Sequence, residues 1–167
     1  FTRAAAGGTG EAKCGGNYAA SLLAGQEALE QGYDQVLWLD AKEHRLVEEI
    51  GAMNVMFVFN ANTIVTSPLT GTILPGVTRD SVLTLTRDWG MKISERKLSI
   101  DEVIAAAEDG SLKESFGAGT AAVISPIGSL TYKDKTVVIN GGKVGSLAQK
   151  LYDTITGIQY GKLEDPY

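Results

Sequence analysis

Apolar positions change period several times along this chain, and each change marks an element. Tyr18, Leu22, Gly25 and Leu29 share one helical face, which predicts a helix over 17–31 with Asn17 near its N-cap and Gly32 at its stop. Segments 35–40, 46–49, 54–59 and 63–66 are short and rich in Val, Leu, Ile and Phe. Polar turns at 41–45 and 60–62 interrupt them, predicting neighbouring antiparallel strands. Beyond the Leu74-Pro75-Gly76 corner, Val82, Leu85, Thr86 and Trp89 fall on one side of an amphipathic helix starting near Thr78. Residues 92–97 read as a strand, and Ser99 with Glu102 forms a capping box ahead of Ile100, Val103, Ile104 and Ala107. A glycine-bearing strand region covers 116–127, a hairpin 131–139, and Val144, Leu147, Ala148, Leu151 and Ile155 make the last helical stripe. Strands and helices do not alternate strictly, so a purely parallel doubly wound sheet is disfavoured. The expected class is α+β: a mostly antiparallel or mixed sheet curled into a pseudo-barrel, with flanking helices.

Composition narrows the function classes. The 167 residues fit one domain, and 44% hydrophobic with 21% charged residues is a globular balance. A formal net charge of -5 argues against a general nucleic-acid or membrane-surface partner. One Cys and one His exclude a disulfide framework, a Cys-rich zinc site and a multi-His metal site. No apolar run is long enough for a bilayer span, so a reduced, cytoplasmic location is expected. The chain opens on Phe1 rather than Met, which points to a piece of a longer polypeptide.

Among residues able to do chemistry, Lys13 stands out because Gly7, Gly8, Gly10, Gly15 and Gly16 bracket it. A glycine-flanked lysine is ordinarily a solvated loop residue. The alternative is a lysine nucleophile in a loop whose backbone approaches a cofactor closely. A phosphate-loop motif fails, because Ala12 and Cys14 stand where it needs Gly and Ser or Thr. A dinucleotide fingerprint fails too, since Lys13 occupies the third glycine position. The pair Glu48 and Glu49 reads either as a solvated strand end or as a partly buried carboxylate facing a cationic ring nitrogen. The helix start after Leu74-Pro75-Gly76-Val77-Thr78 offers backbone N–H groups to an anion, and the Gly117-to-Ala122 stretch is a second source of such donors or a plain tight turn. His44, in a charged turn, reads as a surface residue, and Cys14 as packing.

Taken together, these segments resemble the branched-chain amino-acid aminotransferases, which are fold-type IV pyridoxal-phosphate enzymes. The stretch Gly7-Gly8-Thr9-Gly10-Glu11-Ala12-Lys13-Cys14-Gly15-Gly16-Asn17-Tyr18 looks like their lysine segment. Glu49-Ile50-Gly51-Ala52-Met53-Asn54 resembles their pyridine-binding strand, and Leu69 through Asp80 their phosphate-binding turn. Phe116-Gly117-Ala118-Gly119-Thr120-Ala121-Ala122 resembles their carboxylate and phosphate loop, and Thr156-Gly157-Ile158-Gln159-Tyr160-Gly161 their C-terminal end. The likeness runs in order along the whole chain. The lysine segment favours the branched-chain members over a D-amino-acid transaminase or a lyase of the same fold; a non-catalytic fragment is the remaining alternative.

The resemblance implies roles. Lys13 would hold pyridoxal 5'-phosphate covalently and carry the transferred proton. Glu49 would pair with the pyridine nitrogen, Tyr18 with the ring oxygen, and Arg3 would lie near the cofactor. Val77 and Thr78 would give N–H groups to the phosphate, Thr120 its hydroxyl, and the Thr120-Ala121 turn would receive the substrate carboxylate. Adjacent strand residues point to opposite faces, so only one of the pair can reach the ring, and the spacing to Asn54 favours Glu49 over Glu48. The implied reaction is transamination of leucine, isoleucine and valine with 2-oxoglutarate, in a homodimer. Residues 1–167 would then be the cofactor domain, acting with an N-terminal small domain that this chain lacks. The redox Cys-x-x-Cys of vertebrate members is also missing, its positions being Ala122 and Ser125.

Overall fold

A computed structural model describes all 167 residues. The elements are, in order, α1 (Gly15–Ala19), α2 (Leu22–Glu30), β1 (Leu37–Leu39), β2 (Val47–Ile50), β3 (Met53–Phe59), β4 (Thr63–Thr66), α3 (Val77–Asp88), β5 (Lys92–Glu95), α4 (Ile100–Glu108), β6 (Leu112–Gly119), β7 (Val123–Pro126), β8 (Ser129–Tyr132), β9 (Lys135–Val138) and α5 (Ser146–Gln159). The class is α+β, with seven strands in one mainly antiparallel sheet and β8–β9 as a separate hairpin.

Strand β3 is the axis. Its sequence, Met-Asn-Val-Met-Phe-Val-Phe, is apolar at almost every position, and the structure buries both of its faces. Val55 and Phe57 enter a core with Val47, Ile50, Val65, Leu98, Ile100, Val103, Leu112 and Leu130, beneath α4 and the β8–β9 hairpin. Met56 and Val58 point the other way, into a core with Ile64, Val82, Leu83, Phe116, Ala118, Leu151 and Ile155, beneath α3 and α5. One edge of β3 pairs with β6 from Asn54 to Phe59. The other edge is divided: β2 takes Met53 and Asn54, and β4 takes Met56 to Phe59. The Thr66 hydroxyl donates to the Val55 carbonyl at 2.7 Å, where the two neighbours part. This fork separates β2 from β4, so that residues 67–76 cross the opening between them.

Strands β4 and β5 form the one parallel pair, connected through α3 as a crossover helix. Ser99 caps α4, its hydroxyl accepting from the Glu102 N–H at 3.1 Å. The Glu102 carboxylate pairs with Arg96 instead of returning to Ser99, so the box is half-formed. Trp38 is buried, its indole N–H donating to the Gly51 carbonyl at 2.8 Å.

Local pattern is overridden in two places. The helix expected over 17–31 is two helices, α1 and α2, which break at Ala20 and Ser21. Asn17 is no cap; it is buried inside α1, and its amide donates to the carbonyls of Thr9 and Ala12. The apolar stripe of α2 is real but faces outward, with Leu22 71% and Leu29 65% exposed, while Ala24 is the buried residue. Val144, expected on the last helical stripe, lies before α5 and is exposed. No helix is long and apolar enough to cross a membrane.

Candidate functional site

The fork at β3 gathers the polar residues that the rest of the sheet excludes. Cross-strand register places Glu49 opposite Asn54 and Asn54 opposite Ala118, so β2, β3 and β6 present one row at the same end of the sheet. The two-residue turn between β2 and β3 makes this possible, with Gly51 at φ +54 where a side chain would be strained. Glu49 is 2% exposed. Its Oε1 accepts from the Leu74 N–H at 3.0 Å and from the Asn54 amide at 3.2 Å. Its Oε2 meets Arg3 Nε at 2.7 Å. Asn54 also donates to the Leu74 carbonyl at 2.9 Å, tying the 67–76 crossing to the sheet.

Burial pushes the Glu49 carboxyl up to about 7; Arg3, the Leu74 N–H and Lys13 pull it down but do not cancel this. A carboxyl so placed changes ionisation near neutrality and responds to any cation brought against it. Arg3 is itself 7% exposed, and its Nη1 donates to the Thr72 carbonyl at 2.9 Å. Lys13 is exposed, makes no ion pair, and stands 5.9 Å from the centre of the Tyr18 ring. Lys13 is therefore an unpaired side chain whose charge is felt at Glu49.

The same crossing delivers the start of α3. Its N-cap is Gly76, with no side-chain cap, so the first N–H groups of the helix have no partner within it. Gly76 is required: a Cβ there would collide with Asn54 Oδ1. Val77 is 81% exposed and Thr78 is buried. Thr120 and Ala121 lie exposed in the β6–β7 turn, next to Ala118 of the Glu49 row. Val123 closes that turn at φ +58, a conformation a β-branched residue rarely adopts, and strain of this kind gathers at binding loops.

All eight residues singled out from the sequence are thus located. Arg3 and Glu49 are in contact, Lys13 and Tyr18 are neighbours, Val77 and Thr78 open α3, and Thr120 and Ala121 form an exposed turn. Glu48 accepts from Thr72, whereas Glu49 meets Leu74, Asn54 and Arg3, and the solvated-strand-end reading fails for both, since Glu48 is only 9% exposed. Sequence reasoning missed Asn54 as a ligand of Glu49, and Thr72 as the acceptor for Arg3. Their only sequence signal was their place in the two segments that carried the family likeness. A cleft of about 590 Å³ lined by Tyr33, Leu37, Ile127, Leu130 and Tyr132 contains none of these residues.

The donor set suits a planar, doubly charged heteroaromatic ligand. It has a buried carboxyl for a ring nitrogen, a free amine for a carbonyl carbon, and an uncapped helix start for an anionic group.

Comparison with known proteins agrees. Residues 6–130 match the amino-transferase class IV family. Branched-chain-amino-acid aminotransferase 2 of Bacillus subtilis is 56% identical over 167 residues, covering 100% of this chain and 46% of that protein. The branched-chain-amino-acid aminotransferase of Mycolicibacterium smegmatis is 49% identical over 170 aligned positions, with the same coverage of 100% and 46%. Among solved structures, the Escherichia coli branched-chain amino acid aminotransferase has a TM-score of 0.84 at 30% identity, covering 100% of this chain and 52% of that one. The branched-chain amino acid aminotransferase from Thermobaculum terrenum, solved in its PLP form, has a TM-score of 0.78 at 28% identity, covering 98% and 50%. The chain spans about half the length of the curated relatives it matches.

Proposed function

This chain belongs to the amino-transferase class IV family, and from that membership we propose that it is the cofactor-holding part of a branched-chain-amino-acid aminotransferase. The reaction is amino-group exchange between leucine, isoleucine or valine and 2-oxoglutarate. The complete enzyme is a cytoplasmic homodimer in which an N-terminal domain completes the substrate pocket. The observation that carries this reading is the Arg3–Glu49–Asn54 cluster together with an unpaired Lys13 and an uncapped α3.

Pyridoxal 5'-phosphate, when bound, supplies an electron sink that makes the substrate Cα proton removable. This chain's residues do the rest. Lys13 Nζ would hold the cofactor at its carbonyl carbon, and the same amine would be the base that takes the substrate Cα proton and later gives it back. Glu49 accepts a hydrogen bond from the ring nitrogen and keeps that nitrogen protonated. Tyr18 orients the ring oxygen. The N–H groups of Val77 and Thr78, with the Thr120 hydroxyl, hold the phosphate at the α3 dipole. The N–H groups of the Thr120-Ala121 turn receive the substrate carboxylate.

Lys13→Ala tests the reading. The unaltered chain mixed with pyridoxal phosphate should develop a visible absorbance band above that of free cofactor, and borohydride should fix the label on Lys13. Lys13→Ala should show neither. A label fixed on another lysine refutes the assignment.

A further inference from the structure

Glu48 has no part in that mechanism, yet it is held in an expensive position. It is 9% exposed; its Oε1 accepts from the Thr72 hydroxyl at 2.6 Å, and its Oε2 is buried with no partner. A buried polar atom without a partner is costly. What Glu48 holds in return is Thr72. That residue is 7% exposed and lies in the 67–76 crossing, where neither helix nor strand fixes the chain, next to Gly71 at φ +92. The Thr72 carbonyl accepts from Arg3 Nη1 at 2.9 Å, and Arg3 Nε in turn meets Glu49 at 2.7 Å. Thr72 also presses on the lysine segment: a Cβ on Gly10 would come within 2.6 Å of the Thr72 carbonyl oxygen. Apart from Arg3 itself, the Glu48–Thr72 bond is the side-chain hydrogen bond that anchors Thr72.

We propose that Glu48 is a positioning residue for the cofactor site: by holding the Thr72 hydroxyl it aims the Thr72 carbonyl, and so fixes the Arg3 guanidinium against Glu49. This deepens the proposed function and rests on Glu49 being the partner of the ring nitrogen. Only the acceptor oxygen of Glu48 is needed, not its charge. Burial pushes its carboxyl up, with the Thr72 hydroxyl opposing, Asp40 adding to the rise and Arg3 reducing it. The neutral acid still accepts from Thr72 through Oε1.

Four variants of the full chain separate aiming from mere filling of space. Thr72→Val and Glu48→Leu break the bond; Thr72→Ser and Glu48→Gln keep it, and comparing Leu with Gln cancels the change in charge. The first readout is the Glu49 carboxyl titration in cofactor-free protein, followed by carbon-13 NMR and assigned with Glu49→Gln. With Arg3 loosened, the midpoint should rise by about one unit in T72V relative to T72S, and in E48L relative to E48Q. The second readout is the dissociation constant for pyridoxal phosphate, expected to weaken about tenfold within the same two pairs. Equal midpoints within both pairs overturn the proposal, even if melting temperatures differ, because a purely structural role would act on stability alone. T72V removes one hydroxyl and adds no bulk, so it keeps the test decisive if E48L does not fold. If the unaltered chain takes up no pyridoxal phosphate, the proposed function fails, while the titration still judges Glu48.

Discussion

Glu49 gives the chain two pH dependences of opposite sign. Its carboxyl titrates near 4.5 in the unfolded chain and at about 7 in the fold. Between those values the folded protein holds the extra proton, so its stability falls as pH rises through the window, by about 3 kcal/mol in all. Cofactor uptake should run the other way, because the ionised carboxylate is what accepts from the ring nitrogen. Urea unfolding at pH 5 and pH 8 should therefore show the chain more stable at pH 5, as far as this group is concerned, while cofactor affinity is higher at pH 8. Glu49→Gln should flatten both slopes. Identical slopes in the variant would assign the effect to other groups. Glu48→Gln should leave affinity within about threefold, so a larger loss there than in Glu49→Gln reverses their assigned roles.

At the level of elements, helix ends show what local pattern conveys and what it hides. The Ser99 cap was legible because its partner, the Glu102 N–H, is three residues away. The cap of α5 was not, because it comes from another element. Glu114 on β6 accepts from the N–H groups of Leu147 and Ala148, both at 3.0 Å, while the N-cap itself is Gly145. A Cβ on Gly145 would collide with the Glu114 carboxyl group. Glu114→Ala should cost about 2 kcal/mol, lowering the melting temperature by roughly 4–8 °C, and Gly145→Ala should destabilise by displacing the same carboxylate. Calorimetry on both, and on the double variant, checks this; fully additive losses would mean the two residues do not share one cap. Asp40 was read as a strand end for the same reason. It organises the following turn by accepting from the N–H groups of Lys42, Glu43, Arg45 and Leu46. Burial raises its carboxyl, but these donors outweigh it and bring it to about 2. The α2 stripe misled in the opposite direction. Its period is helical, but period alone does not say which side of a helix is covered, and Leu22 and Leu29 face outward.

For the whole molecule, the site lies on an open side: Lys13, Val77, Thr120 and Ala121 are all exposed. Water there weakens the contacts that hold an anionic ligand. Residues 1–167 alone should therefore turn over leucine and 2-oxoglutarate far more slowly than a full-length relative. Turnover within about tenfold, a barrier difference below roughly 1.4 kcal/mol, would show the proposed N-terminal domain to be dispensable. The order of elements and the α+β class were legible from periodicity, because the strands are short and successive. The fork at β3 was not, because each of its two hairpins is local but nothing in the pattern says that both share one edge of the strand; the parallel β4–β5 pair was not, because it joins segments across α3. That separation has a kinetic consequence. Arg3 reaches Thr72 across 69 residues, whereas the β8–β9 hairpin closes across two residues, Lys133 and Asp134. Closing the longer loop costs more chain entropy, and its contacts bring little reward until the sheet exists to hold them. On refolding, the sheet should form first and the Arg3–Glu49 clamp last. Far-UV dichroism would then recover in an early phase while the capacity to bind pyridoxal phosphate lags behind it, and a protein newly made would pass through a folded interval in which it cannot yet hold its cofactor.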